Sequence, residues 1–449
     1  MKQNQWTRRL AALGAISLAS VAQAEEAQHA VMTALQSTTI SGYVDTSLIW
    51  LSGPNSEAWT RNFNNTISPQ TIMYSPDGNP ANASPWAPPG VYGRSFDGTS
   101  KQNSFNLNVV DLAIEKPLSE GQWSAGYRVE TWLGPDANTL GTQSTLSTGS
   151  GDFAIKNAYV ALRAPVGNGL DFKFGVWDTI IGYEVADSPY NPNYSRSFAW
   201  SIEPVIHTGI LATYQVSDVV TVQGGIAETG LSNQINANSG VGGVFTYLGS
   251  LAITAPESTG FLEGATAYFG IADIGVGTNA GVYDPATGAA RTTEDSVNFY
   301  AGATMPLPLE GWAHGATYDY RANGVYNGSY ENAVSGYLSW QMTEKLRMNG
   351  RVEYASGSRG LTIAGNNNNI LVSDANFGAW GTPAGAVNGT TPDNVRLLGV
   401  TATLDYELWA NAITRAEFRW DRTLNGQYLF QGMSRRNAVS LALNVIYQF

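Results

Sequence analysis

The last residues of the chain alternate. Val439, Leu441, Leu443, Val445, Tyr447 and Phe449 fall on one side of an extended strand, Ser440, Ala442, Asn444 and Gln448 fall on the other, and only Ile446 breaks the pattern. A strand repeats every two residues, so the segment has one apolar face with its aromatics gathered at one end. An exposed apolar strand of this kind is an aggregation liability in water. It is at home as the closing strand of a barrel that faces lipid. The same alternation opens the chain: in Thr39 to Leu51, Ile40, Val44, Leu48 and Trp50 share a face with Gly42 and Thr46, opposite Ser41, Tyr43, Asp45 and Ser47. It recurs from Gln122 to Leu133, where Arg128 and Glu130 oppose Tyr127 and Val129.

Reading on in this way predicts sixteen strands, from Thr39 to Leu51 through to Ala438 to Phe449. The connections after even-numbered strands are short, such as Ser217-Asp218, Thr343-Glu344 and Trp409 to Asn411. Those after odd-numbered strands are often long and polar: Ser52 to Asn103, Asp178 to Ile206, Asp273 to Asp295 and Ser356 to Asp393. Short turns at one end and long loops at the other predict an all-β fold, a transmembrane antiparallel up-and-down β-barrel of about 16 strands with periplasmic turns and extracellular loops. A barrel that wide leaves a water channel. Two strands depart from the pattern. Val109-Val110 calls for a bulge. The fourth strand, Asp152 to Ala164, reads as apolar on both faces, with Ala154, Val160 and Leu162 opposite Phe153, Ile155 and Tyr159, so its inner side should pack against a loop or its outer side against another subunit.

Composition sharpens this picture. Charged residues are 13% of the chain, there are 49 glycines, and cysteine is absent. That charge content is about half the usual share for a soluble domain. Zero Cys excludes disulfides and thiolate metal sites. Met1 to Ala24 reads as a secretory signal peptide, with Lys2, Arg8 and Arg9 at the start, an apolar middle from Leu10 to Val21 and the small-residue site Ala22-Gln23-Ala24. That apolar run is shorter than the roughly 20 residues a spanning helix needs. Residues 25–37 then form a short periplasmic tail, and residues 38–449 the barrel. Losing the leader removes three cations from a chain whose formal charge is already −12, which argues against nucleic acid as a partner.

Several stretches also resemble the OmpL-like family of beta-barrel porins: Ile40 to Asp45, Phe105 to Asp111, Gly182-Tyr183-Glu184, Asn191 to Ser197 and His207-Thr208-Gly209. The resemblance implies an outer-membrane porin, exported through the secretory pathway of a Gram-negative-type bacterium. The closing strand is similar to the strand whose terminal aromatics, here Tyr447 and Phe449, are read by the outer-membrane assembly machinery. Likeness to general porins implies a homotrimer.

By parity, Asp45, Arg128, Glu130, Arg347, Arg351, Asp405, Arg415 and Arg419 point into the lumen. A Lys or Arg facing lipid near the midplane costs about 2 to 4 kcal/mol, so the segregation is meaningful. These charges either pair into ladders that neutralise the wall or leave a remainder that sets a transverse field on permeating solutes. The loop Asp178 to Ile206 is the candidate constriction and contributes Asp178, Glu184 and Asp187, which predicts a mild cation preference. No cofactor or metal site is expected, and no enzymatic activity. The only local Ser–His candidate for a hydrolase is Ser201 or Thr208 beside His207. Asn366 to Asn369 and Asp284 lack the carboxylate density of a calcium loop. The reading is therefore passive diffusion of small hydrophilic solutes and ions. The alternative is a structural or adhesive barrel whose long loops, Ser52 to Asn103 above all, bind an envelope or external partner.

Overall fold

In the computed structural model the described residues are 37–51, 103–119, 123–140, 152–228, 245–275, 295–323, 328–358, 395–425 and 436–449, with a few short pieces between them. The leader, the tail, most of loop 52–103 and the segment with Asp284 and Asn366 lie outside them. Sixteen strands close into one antiparallel barrel in chain order. They are β1 Thr39–Leu51, β2 Ser104–Lys116, β3 Ser124–Leu133, β4 Phe153–Ala164, β5 Leu170–Asp178, β6 Ile206–Gln215, β7 Val220–Glu228 and β8 Phe245–Thr254. The second half comprises β9 Thr266–Ile274, β10 Ser296–Pro306, β11 Trp312–Ala322, β12 Tyr330–Gln341, β13 Leu346–Gly357, β14 Val395–Trp409, β15 Ala412–Thr423 and β16 Asn437–Gln448. The barrel closes where β16 meets β1, with Leu48 opposite Leu443 and the backbones of Gly42 and Phe449 exchanging two hydrogen bonds at 3.0 Å.

The barrel is inside out relative to a soluble protein. On β13, Met348 and Val352 are 42% and 56% exposed while Arg351 is 1% exposed. On β16, Leu443, Val445 and Tyr447 face outward and Ser440, Ala442 and Asn444 are buried. The period of two makes this segregation automatic once one residue is placed. Ile446, the exception in the sequence pattern, points inward and joins an apolar cluster with Tyr43, Trp132 and Ile413. Trp312 and Trp340 stack with centroids 5.1 Å apart at the short-turn end, and Trp123 and Trp409 stand exposed at that same end, as aromatics do where lipid meets water.

The irregularity of β2 is a bulge: Asp45 pairs with Val109 and Thr46 with Leu107, so Asn108 is the extra residue. A second bulge corrects the expectation for β4. Glu130 pairs with Asn157 and Thr131 with Ile155, which leaves Lys156 extra. The bulge shifts the parity of everything before it. Phe153, Val160 and Leu162 are therefore all exposed, on the lipid side, and Ala154, Lys156 and Asn157 are buried. Phe153 and Ile155 thus join Val160 and Leu162 on the outer face, while Ala154 stays inside, in a buried cluster with Ala186, Trp200 and Val205, so the inner side does pack against a loop.

Candidate functional site

Between β5 and β6 the chain does not return along the outside. Pro189, Pro192 and Pro204 keep it from pairing as strand, and Gly182 supplies a positive φ of 113°. Local bonds then fold it. Ser188–Tyr190 is a short 3-10 turn with proline in its first positions. The Asn191 amide reaches the carbonyls of Val185 and Asp187 at 2.8 Å, and the Arg196 guanidinium donates to the carbonyls of Val185 and Tyr194 at 2.9 Å. Phe198–Ile202 forms one helical turn, capped by Ser197 Oγ accepting from Trp200 N at 3.2 Å.

This segment touches β1, β4, β10, β12, β13, β14 and β15, which surround the lumen, so it lies inside the barrel. Toward β12–β15 its contacts are polar. Arg351 donates to Glu184 Oε1 at 2.8 Å, to the Ser195 carbonyl at 2.7 Å and to Glu353 Oε1 at 3.0 Å. Arg415 donates to the carbonyls of Ser188 and Asn191 at 2.8 and 3.0 Å, and Arg419 to that of Arg196 at 2.6 Å. Carboxylates take the loop's amides: Glu417 accepts from Tyr194 N at 2.7 Å and from Ser195 N at 3.1 Å, and Glu184 accepts from Ser197 N at 2.6 Å. A buried loop must satisfy its own backbone, and the charged rows on the wall supply the missing partners.

Toward β5–β10 the contacts are mainly apolar, apart from Asn298 of β10 donating to the Ile202 carbonyl at 2.7 Å. Ile181 belongs to a buried cluster with Trp177, Leu211, Leu248 and Tyr300. Two wall glycines make room for the loop: a Cβ on Gly270 would lie 2.3 Å from Ile181 Cγ2, and one on Gly315 would lie 2.3 Å from the Tyr183 hydroxyl. At the far end of the segment Glu203 sits beside Asp319 of β11. Burial and that neighbouring carboxylate hold the Glu203 carboxyl well above the usual carboxylate range.

Toward β2–β5 the site is acidic. Lys156 Nζ lies 2.8 Å from Asp187 and 2.9 Å from Asp178, and Tyr43 Oη donates to Asp187 Oδ1 at 3.2 Å. Burial raises the Asp187 carboxyl above the usual carboxylate range against the pull of the Lys156 ammonium. Arg128 bridges Glu115 and Glu130 at 2.5 and 2.8 Å. Nearer the short turns, Arg347 bonds Gln341 at 2.8 Å and Asp405 lies 3.5 Å from Arg415.

The structure thus gathers Glu184, Asp187, Arg351, Arg415 and Arg419 around the inner loop. Asp178 and Glu130 share Lys156 beside it, while Arg128, Arg347 and Asp405 stand off it on the wall. Lys156, Asp111 and Glu203 were missed by the sequence reading, whereas parity does turn Asp319 inward, where it is 2% exposed. A Lys set among apolar residues in the first half of a strand was the available signal for Lys156, because such a side chain must face inward. His207 hydrogen-bonds Thr179 Oγ1 at 3.1 Å, and Ser201 Oγ has no hydrogen-bond partner, so the two do not form a nucleophile–base pair.

No curated protein matches the chain. Among solved structures, OprB of Pseudomonas putida is 11% identical with TM-score 0.53, over 94% of this chain and 96% of that one. Salmonella typhi OmpF in complex with daunomycin is 11% identical with TM-score 0.53, over 92% and 97%. The outer membrane channel DcaP of Acinetobacter baumannii is 9% identical with TM-score 0.51, also over 92% and 97%. At such identity the likeness establishes the fold alone. The model of the family described as "Putative beta-barrel porin-2, OmpL-like" matches residues 70–449, and the chain belongs to that family of outer-membrane barrel porins.

Proposed function

We propose that the protein is a passive diffusion channel for small hydrophilic solutes and ions, narrowed by the loop between Asp178 and Ile206. The observation that carries this reading is the anchoring of that loop across the lumen, by Arg351, Arg415 and Arg419 on one side and Lys156 on the other. Size exclusion beside the loop and weak electrostatic selection need no energy input, and of the acids Asp178, Glu184 and Asp187 it is the water-exposed Asp178 that favours cations. Discrete conductance steps in planar bilayers, with liposome swelling that falls off as solute size grows, are the expected result. Swelling indifferent to size would overturn the constriction, and anion selectivity in a salt gradient would overturn the charge preference.

A second reading, a closed structural or adhesive barrel, draws on the near-complete burial of the loop, where Phe198, Trp200, Ile202 and Val205 are 3%, 3%, 3% and 4% exposed. Electrical silence of correctly folded protein in bilayers would favour it. The proposal extends to export by cleavage after Ala24, which sequencing of the mature N-terminus tests, and to insertion guided by Tyr447 and Phe449, which loss of assembly on replacing Phe449 tests. It extends also to a homotrimer, tested by the mass of the detergent-solubilised protein.

A further inference from the structure

Asp111 on β2, Glu130 on β3 and Asp187 on the inner loop each turn a carboxylate oxygen toward one point, and those three oxygens lie within 4.8 Å of one another. Two ligands held about 2.4 Å from one ion are at most about 4.8 Å apart, so the spacing suits oxygen coordination of the calcium type. Acids gathered together do not by themselves make a site. What points to a ligand is Asp111, which is 4% exposed and whose Oδ1 has no hydrogen-bond partner. A buried acceptor left without a donor is costly and is commonly explained by an ion or water.

The local charges point the same way. Lys156 is shared among Asp187, Asp178 and, at 3.5 Å, Glu130. Arg128 is divided between Glu130 and Glu115. Lys173 also lies within reach of Asp178 and Glu115, so three cations face five carboxylates once Asp111 is included, and the acids remain in excess in a buried place where they need compensation. The cluster also has a way in, because the side chains of Asp178 and Arg128 are 46% and 27% exposed.

We infer that Asp111, Glu130 and Asp187 bind a divalent, oxygen-preferring cation of the calcium class, which ties the inner loop to the β2–β3 wall. The inference does not depend on whether the pore conducts. The test uses the full-length protein in detergent after chelation, titrated with terbium as the luminescent probe, since Tyr43 touches Asp187 and can sensitise it, and then with calcium as competitor. One saturable site per chain is expected, displaced by calcium, with affinity lowered about tenfold or more in Asp111→Asn because a charged ligand is lost. Glu257→Gln, on an exposed turn, should bind as the wild type does. Absence of saturable binding would overturn the inference, as would wild-type affinity in Asp111→Asn. Should Asp111→Asn lose the folded, heat-shifted band on a gel, Asp187→Asn decides instead, because it leaves the wall intact.

Discussion

Arg351 shows at the scale of one residue why charges can sit inside this barrel. Its guanidinium is 1% exposed, and it meets Glu184, Glu353 and two loop carbonyls. The planar fork of donors suits that many acceptors, which an ammonium could not serve in one plane. Arg351→Met would take the buried cation from between Glu184 and Glu353, leaving Glu353 with the Arg419 guanidinium at 3.4 Å and Glu184 with no cation among the described residues, a loss of about 3 to 5 kcal/mol. The loss should fall on the docking of the loop, since the strand hydrogen bonds remain. Arg196, the only Lys or Arg between Asp178 and Ile206, gives the readout: trypsin should cut after it in Arg351→Met and spare it in the wild type. Equal resistance in both proteins would sink the argument. Glu203 sets a pH dependence on the same docking. Its folded carboxyl titrates well above its unfolded value because of burial and Asp319. The stabilisation is thus fully present below the unfolded carboxylate range and is lost as pH rises through the raised folded value. Tryptic cutting at Arg196 should increase with pH in the wild type, and Glu203→Gln, which cannot ionise, should flatten that increase. A slope unchanged by the substitution would contradict this account.

At the scale of elements, the strands were legible because a single rule, the period of two, operates along each of them and lipid enforces it. The ends of β1 coincide with those read from the pattern, and those of β3, β4 and β16 shift by two residues or fewer. Bulges were harder. Asn108 was foreshadowed by the adjacent valines, whereas the bulge at Lys156 was not, and missing it set Phe153 and Ile155 opposite Val160 and Leu162, with which they share the outer face. The inner loop's destination was not written in its own residues. Its partners lie as much as 227 residues away in sequence, as with Arg415 and Ser188, and no local pattern encodes them. One element-level device is testable. Gly315 leaves the notch that Tyr183 enters, and Tyr183 stacks on Tyr337 with centroids 4.2 Å apart. Gly315→Leu fills the notch without touching any charge, so it should displace the first part of the loop and raise single-channel conductance. An unchanged conductance would show that this contact does not hold the constriction.

For the whole molecule, the wall and the loop have to be read together. By parity the wall turns charges of both signs inward, and their pattern along the chain leaves open whether they pair or act on solutes. Arg351, Glu353, Glu417, Arg419 and Asp421 are all buried, at 3% exposure or less. They are occupied by the loop and by each other, so they hold it in place and stand away from passing ions. Selectivity should then belong to the few charged groups that keep contact with water. Asp178 is the clearest, with its side chain 46% exposed at the foot of the loop while still bonded to Lys156. Its carboxylate should attract cations to the narrow level over a range limited by screening, about 8 Å at physiological salt. Asp178→Asn is therefore expected to lower the cation-to-anion permeability ratio by roughly a factor of two, read from the reversal potential across a salt gradient. The buried Asp421→Asn should leave that ratio near the wild-type value. If the two substitutions moved the reversal potential equally, or Asp421→Asn moved it more, selectivity would have to be assigned to the field of the whole wall.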